Sequence, residues 1–275
     1  MLRDGHAMGY VSAVRHSEWL ASAYFLYLVV AACVRRMPPV RRASLVGLAG
    51  LMAVLVVALA RAGQPWIRDW APLLYVLAGY YASGLLFVRP SERLEAWLIG
   101  WDRRWLGDPT TRFAGWPRWL LAYLDVVYMG CFLLLPAGFA VLHWNGYDLL
   151  ADRYWTMVLG AEFGAFAPLA FVETRPPWAV ERAAGAADLT VRRTAERFVR
   201  HLTIGVNTFP SGHVAGSLAV AFAVMGAVPR LGVGLLALAV SIALACIVGR
   251  YHYIVDVIAG AALGVAVWAA VAGGM

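Results

Sequence analysis

Lysine is absent, and charge of any kind is scarce: only 14% of the 275 residues are charged, against 62% hydrophobic. A soluble domain carries roughly a quarter charged residues. The deficit excludes an ordinary water-soluble globule and points to a chain whose main solvent is lipid. Cysteine is nearly missing too. Cys33, Cys131 and Cys246 each sit in an apolar stretch and read as small core residues rather than disulfide partners. No CxxC or HExxH spacing occurs, so no metal site and no cofactor is expected. The first residues, Met1 to Glu18, contain His and Arg and lack the apolar core of a cleaved leader.

What charge there is leans positive. The net charge is +7, and arginine alone supplies the cations. These arginines lie in short connections between apolar runs, an arrangement that suits anionic headgroups or phosphates and argues against nucleic acid. The expected partners are therefore a membrane and a phosphate-bearing lipid.

Apolar segments recur at about 19–34, 43–60, 71–88, 118–142, 154–172, 211–228, 232–249 and 253–273. Most approach the roughly 20 residues that cross a bilayer as a helix. The first is short, which a tilted or partial crossing would accommodate. Backbone groups in lipid must pair within their own segment, so the fold class is all-α, a polytopic transmembrane helical bundle. Small residues such as Gly260 and Gly264 let helices approach closely. One bundle accounts for the whole length.

Two connections carry their own periodicity. From Arg93 to Leu106, the residues Leu94, Trp97, Leu98, Trp101 and Trp105 recur at helical spacing and predict an interfacial helix near 93–106. A second stripe near 189–202 comprises Val191, Ala195, Phe198 and Leu202, with Arg192, Arg193, Arg197 and Arg200 between them. It reads equally as a solvated surface helix or as a headgroup-binding one. Asp125 and Glu162 lie inside apolar spans. Neither belongs to a motif, so an interhelical hydrogen bond outweighs catalysis for each.

The chemistry concentrates at three places. Pro210-Ser211-Gly212-His213 opens the sixth apolar segment. A helix start offers free N–H groups and a positive dipole end to a phosphate, and His213 falls on its first turn. Arg250, His252 and Asp256 open the last segment. His252 and Asp256 share a helix face, where a carboxylate fixes an imidazole tautomer and leaves the other ring nitrogen free to attack phosphorus. Arg250 offers a fork for phosphate oxygens, and Arg175, at the end of the fifth segment, is a second candidate. Following the chain through its crossings puts all three places on one membrane face. A lone His at a helix end usually makes an interfacial hydrogen bond, and a lone H-x-x-x-D is common; their joint order and sidedness point to phosphoryl transfer.

These residues resemble the type 2 phosphatidic acid phosphatase superfamily, whose motifs are Lys-x6-Arg-Pro, Pro-Ser-Gly-His and Ser-Arg-x5-His-x3-Asp. The second matches fully at Pro210–His213 and the third at His252 and Asp256; of the first, only Arg175-Pro176 matches. The Lys position falls on Pro168, and the Ser and Arg of the third motif fall on Ala245 and Cys246. These departures resemble the inositol-phosphotransferase branch that includes inositol phosphorylceramide synthases. Trp101-Asp102 and Leu106-Gly107-Asp108-Pro109 are similar to that branch as well. The resemblance implies a six-helix core within residues 71–275 and two added helices within 1–70. It implies that His252 is the nucleophile, that Asp256 orients it and that His213 protonates the leaving oxygen. Arg175, Arg250 and backbone near Ser211 and Gly212 would hold the phosphate, with no metal. Water resolves the phosphohistidine in a phosphatase, and a second alcohol does so in a transferase. The competing expectation from another class is a transporter or scaffold whose polar residues are structural. On sidedness, Arg35, Arg36, Arg41, Arg42 and most other arginines fall on the active-site face, which the positive-inside rule assigns to the cytoplasm. The resemblance implies the outer face of a cell membrane, and that is the expectation adopted. Substrate lipid, acceptor and oligomeric state are not legible.

Overall fold

The structure, a computed structural model, describes residues 14–181 and 190–274. Leu189, where the second interfacial stripe was expected to begin, lies outside them, as do Arg3, Arg182 and the first residues of the expected leader-free N-terminus. The protein is 81% helical, with no strand among the described residues, as expected of an all-α polytopic bundle. In order the helices are α1 His16–Val34, α2 Pro39–Ala62, α3 Pro65–Gly84, α4 Glu92–Leu106, α5 Pro109–Arg112, α6 Arg118–Trp144, α7 Ala151–Phe166, α8 Pro177–Val180, α9 Thr190–Leu202, α10 Gly212–Ala227, α11 Pro229–Val248 and α12 Ile254–Gly274.

Five of these, α1, α2, α6, α11 and α12, are long and apolar enough to cross a membrane. The expected spans at 71–88, 154–172 and 211–228 became α3, α7 and α10, which fall outside that group. Helix α3 carries Arg68 and Asp69, and α7 and α10 each have 16 residues. The reason is position. Helices α7 and α10 pack against one another and against α12, α7 also against α1 and α3, and α10 also against α6 and α11. A helix surrounded by protein tolerates shortness and polar groups that a lipid-facing one does not.

Close approach of α12 to α10 depends on the small residues picked out in the sequence. A Cβ placed on Gly260 would lie 2.6 Å from the Ser211 carbonyl oxygen, and one on Gly264 would lie 3.0 Å from the Leu218 Cβ. The first obstacle is backbone and cannot swing away. Gly260→Ala is therefore expected to push α12 off the start of α10 and to cost about 1–3 kcal/mol. A thermal-unfolding midpoint in detergent equal to that of the wild type would contradict this packing.

The connections hold a surprise on α4. Ser91 caps it, accepting from the Leu94 amide at 3.4 Å. Trp97, Trp101 and Trp105 stack edge-on along one side, as the interfacial reading expects, with ring centroids 6.2 and 5.2 Å apart. Leu98 was expected among the tryptophans but turns inward with Glu95 and Asp102, and all three are buried. Helix α9 packs against α6 through a face that buries Ala195 and Val199.

Candidate active site

The start of α10 and the start of α12 meet because their backbones are joined: the Ser211 amide donates to the Asp256 carbonyl at 3.0 Å. This contact brings the sequence-predicted residues His213, His252 and Asp256 together. The His252 Nε2 and His213 Nδ1 atoms are 3.3 Å apart, with ring centroids 5.4 Å apart and planes at 62°. Behind His252, its Nδ1 lies 3.5 Å from Asp256 Oδ2. Asp256 is fully buried, and the same oxygen accepts from the Tyr253 amide at 2.9 Å. Burial pushes His252 down to about 3, which leaves the ring neutral with a lone pair available.

Aromatic packing sets the His213 ring. Tyr128 of α6 stacks on it at 5.1 Å, Phe132 meets it edge-on at 5.4 Å, and Tyr251 stacks in turn on Tyr128 at 3.6 Å. Several buried polar atoms around this pair have no hydrogen-bond partner among the described residues: Asn207 Oδ1, Ser211 Oγ, His213 Nε2, Arg250 Nε and Asp256 Oδ1, besides His252 Nδ1, which has only the 3.5 Å approach of Asp256 Oδ2. Buried polar atoms are normally satisfied, so a cluster of unsatisfied ones calls for an explanation, and a polar ligand is the simplest. The first turn of α10 adds backbone N–H groups directed out of the helix end, although that of Gly212 donates to Thr208 Oγ1 at 3.4 Å.

The two arginines behave differently from the open forks expected of them. Arg250 is buried, with Nη1 donating to Asp102 Oδ2 at 2.6 Å and Nη2 donating to Glu181 Oε2 at 2.7 Å. Its bidentate fork is taken by protein carboxylates, and only Nε lacks a partner. This corrects the expectation of two-pronged phosphate binding by Arg250. Its backbone φ is 62°, a left-handed conformation that a non-glycine residue adopts at a cost. Arg175 donates from Nε and Nη2 to Glu95 at 3.0 and 2.7 Å, while its side chain stays 41% exposed. Burial works to raise the Glu95 carboxyl, but the hydrogen bonds from Arg175 outweigh it and hold the group below the usual glutamate value. Both arginines are thus gripped from α4, whose Glu95 and Asp102 lie two turns apart on one face.

Sequence reasoning missed Glu95 and Asp102 as site residues. The available signal was their spacing with Leu98, a second face of a helix read for its apolar stripe, with Asp102 noted only beside Trp101 in the family resemblance. Of the two intramembrane acids, Asp125 makes the interhelical bond expected of it, pairing with Arg192 of α9 at 3.0 Å. Arg192 was expected on a helix that either lies solvated at the surface or binds headgroups. Instead its Nη2 donates to the Gly249 carbonyl at 3.1 Å, and its guanidinium lies 5.7 Å from the Tyr251 ring centre. Glu162 makes no hydrogen bond to any described residue.

A cavity of about 270 Å³ opens onto the histidine pair. Helices α3, α6 and α9 line it largely with apolar groups, and His213, His252, Pro176 and Trp178 close its inner end. Leu77 and Tyr81 of α3, about half exposed, stand at its outer side.

Membrane-length helices, with a buried His–His–Asp cluster at the inner end of an apolar cavity, support a membrane protein of phosphatase type. The sequence match is narrower and more specific: residues 151–274, α7 to α12, match the model of the PAP2 superfamily. All the sequence-predicted site residues fall within that span. Neither the curated proteins nor the solved structures compared with the chain contain a match.

Proposed function

We propose that the protein is an integral membrane lipid phosphatase or phosphotransferase that takes a phosphoryl group or phospho-headgroup onto His252. The observation that carries the reading is the 3.3 Å approach of His252 Nε2 to His213 Nδ1, close enough for one phosphoryl group to engage both rings. Asp256 holds the His252 tautomer in which Nδ1 bears the proton and Nε2 the lone pair. Nε2 attacks phosphorus, the phosphorus–oxygen bond to the leaving group breaks, and His213 gives that oxygen a proton. Water or an alcohol then attacks the phosphohistidine, His213 takes its proton, and His252 is regenerated. Ser211 Oγ, the first-turn N–H groups beyond Gly212, Arg250 Nε and the exposed side of Arg175 bind the phosphate oxygens. No step calls for a metal. Residues 71–275 form the catalytic core, and 1–70 supply two additional helices.

The apolar cavity ending on the histidines favours a lipid over a soluble phosphate ester. Departures at Pro168, Ala245 and Cys246, together with the His252-Tyr253-x-x-Asp256 pattern, favour the transferase branch as the second reading. The active site faces outward from a cell membrane in this proposal. Purified protein in bilayers, supplied with a phosphatidate and a chelator, is expected to release inorganic phosphate. Added alcohol acceptors divert the phosphoryl group if transfer is the native reaction. A preparation inert in both formats refutes the proposal in favour of a transporter or scaffold.

A further inference from the structure

Glu162 sits where the phosphoryl-transfer steps give it no work. It lies on α7 and is 7% exposed, and its carboxyl faces the cavity rather than any partner among the described residues. The neighbouring helix is shaped around it. A Cβ on Gly216 would collide with the Glu162 carboxyl, and a Cβ on Gly212 would lie 3.1 Å from Oε2. The side chain is therefore held against α10 in a slot that only glycine leaves open. An unsatisfied carboxyl in an apolar cavity is costly and is explained when a ligand completes its hydrogen bonds.

Its depth narrows the ligand. Gly216 is one helical turn below Gly212, about 6 Å along the axis from the phosphate-facing end of α10. Tyr128, Cys131, Phe132 and Leu135 of α6 run down the same cavity, away from His213. A lipid whose phosphorus meets His252 and whose chain follows this wall carries its next polar atoms past Glu162. In a lipid built on glycerol or a long-chain amino alcohol, those atoms are an ester, amide or hydroxyl a few bonds beyond the phosphate ester. In a polyprenyl or plain alkyl phosphate there is only hydrocarbon at that depth.

We propose that the Glu162 carboxyl hydrogen-bonds the first polar linkage of the bound lipid, selecting lipid phosphates with an ester, amide or hydroxyl there over those that are hydrocarbon from the phosphate onward. The inference rests on the phosphoryl-transfer reading of the His252 site and adds the substrate class to it. A site that hydrogen-bonds a substrate group rejects the analogue lacking it, because its own polar atom is left unpaired.

The full-length protein in bilayers tests this with two substrates, a diacylglycerol phosphate and a polyprenyl monophosphate, by the ratio of their kcat/KM values. That ratio is independent of how much protein is folded. The wild type is expected to favour the diacylglycerol phosphate by about tenfold or more. Glu162→Gln, which keeps a donor and an acceptor, is expected to retain most of the preference. Glu162→Met, which fills similar space without hydrogen bonding, is expected to bring the ratio near one. A ratio in Glu162→Met equal to that of the wild type overturns the proposal, as does a wild type that favours the polyprenyl substrate. A wild type inert toward both lipids overturns the phosphoryl-transfer reading itself, and this inference with it.

Discussion

Replacing His252 with alanine is expected to abolish turnover of a lipid phosphate, lowering it by about ten-thousandfold or more, because the variant loses the atom that attacks phosphorus. The same change is expected to eliminate the acid-labile phosphoenzyme that forms when the wild type is mixed with a phosphate-labelled lipid and quenched. His213→Ala is expected to lower turnover by about a hundredfold to ten-thousandfold, the usual range for a lost general acid. Its defect is expected to shrink with a substrate whose leaving group departs without a proton, such as a nitrophenyl phosphate, whereas the His252→Ala defect persists. The difference follows from the geometry: His252 is backed by Asp256 at 3.5 Å, whereas His213 Nε2 has no hydrogen-bond partner among the described residues and its ring packs against Tyr128 and Phe132. Undiminished lipid turnover in both variants would refute the assignment of the site.

Asp102→Ala is expected to be nearly as damaging, by another route. Asp102 and Arg250 form an ion pair with side chains 1% and 3% exposed. Removing one partner of a buried pair costs about 3–5 kcal/mol, a large part of the roughly 5–15 kcal/mol that holds a domain together. The other Asp102 oxygen accepts from the Ile254 amide at 2.8 Å, so the substitution also uncaps α12. His252 lies between these two anchors. Thermal unfolding in detergent is expected to shift down by several degrees, with turnover falling even in the fraction that remains folded. Arg250→Met added to Asp102→Ala is expected to cost less than the two single changes summed, since Arg250 without Asp102 keeps only Glu181 and Glu181 retains Arg103, while activity stays low. An unchanged midpoint together with unchanged turnover in Asp102→Ala would show that the pair does not position the loop.

The helical bundle was legible because apolar runs of bilayer length admit only one backbone solution in lipid. The meeting of His213, His252 and Asp256 was legible too, since each motif opens a helix and alternate crossings return the chain to the same face. Gly260 and Gly264 announced the close packing of α12. Much of the environment was not legible. The Arg250 partner is 148 residues away on a helix whose tryptophans dominate its pattern, and the Arg192 partner is 67 residues away on α6. An arginine near a phosphate motif looks the same in sequence whether its fork is open or occupied. Glu162 and Asp125 looked alike as acids in apolar runs, yet one is paired and the other faces a cavity.

The sequence by itself determined the solvent of this protein, its all-helical class and the chemical groups gathered at one end of the bundle. Those properties depend on composition, period and chain order, which are local or additive along the chain. Tertiary structure alone decided which carboxylates hold the arginines, which acid has no partner among the described residues, and where an apolar cavity reaches the histidines. Each of these depends on the distance between groups far apart in the chain, and electrostatic and hydrogen-bond energies are set by that distance rather than by residue type.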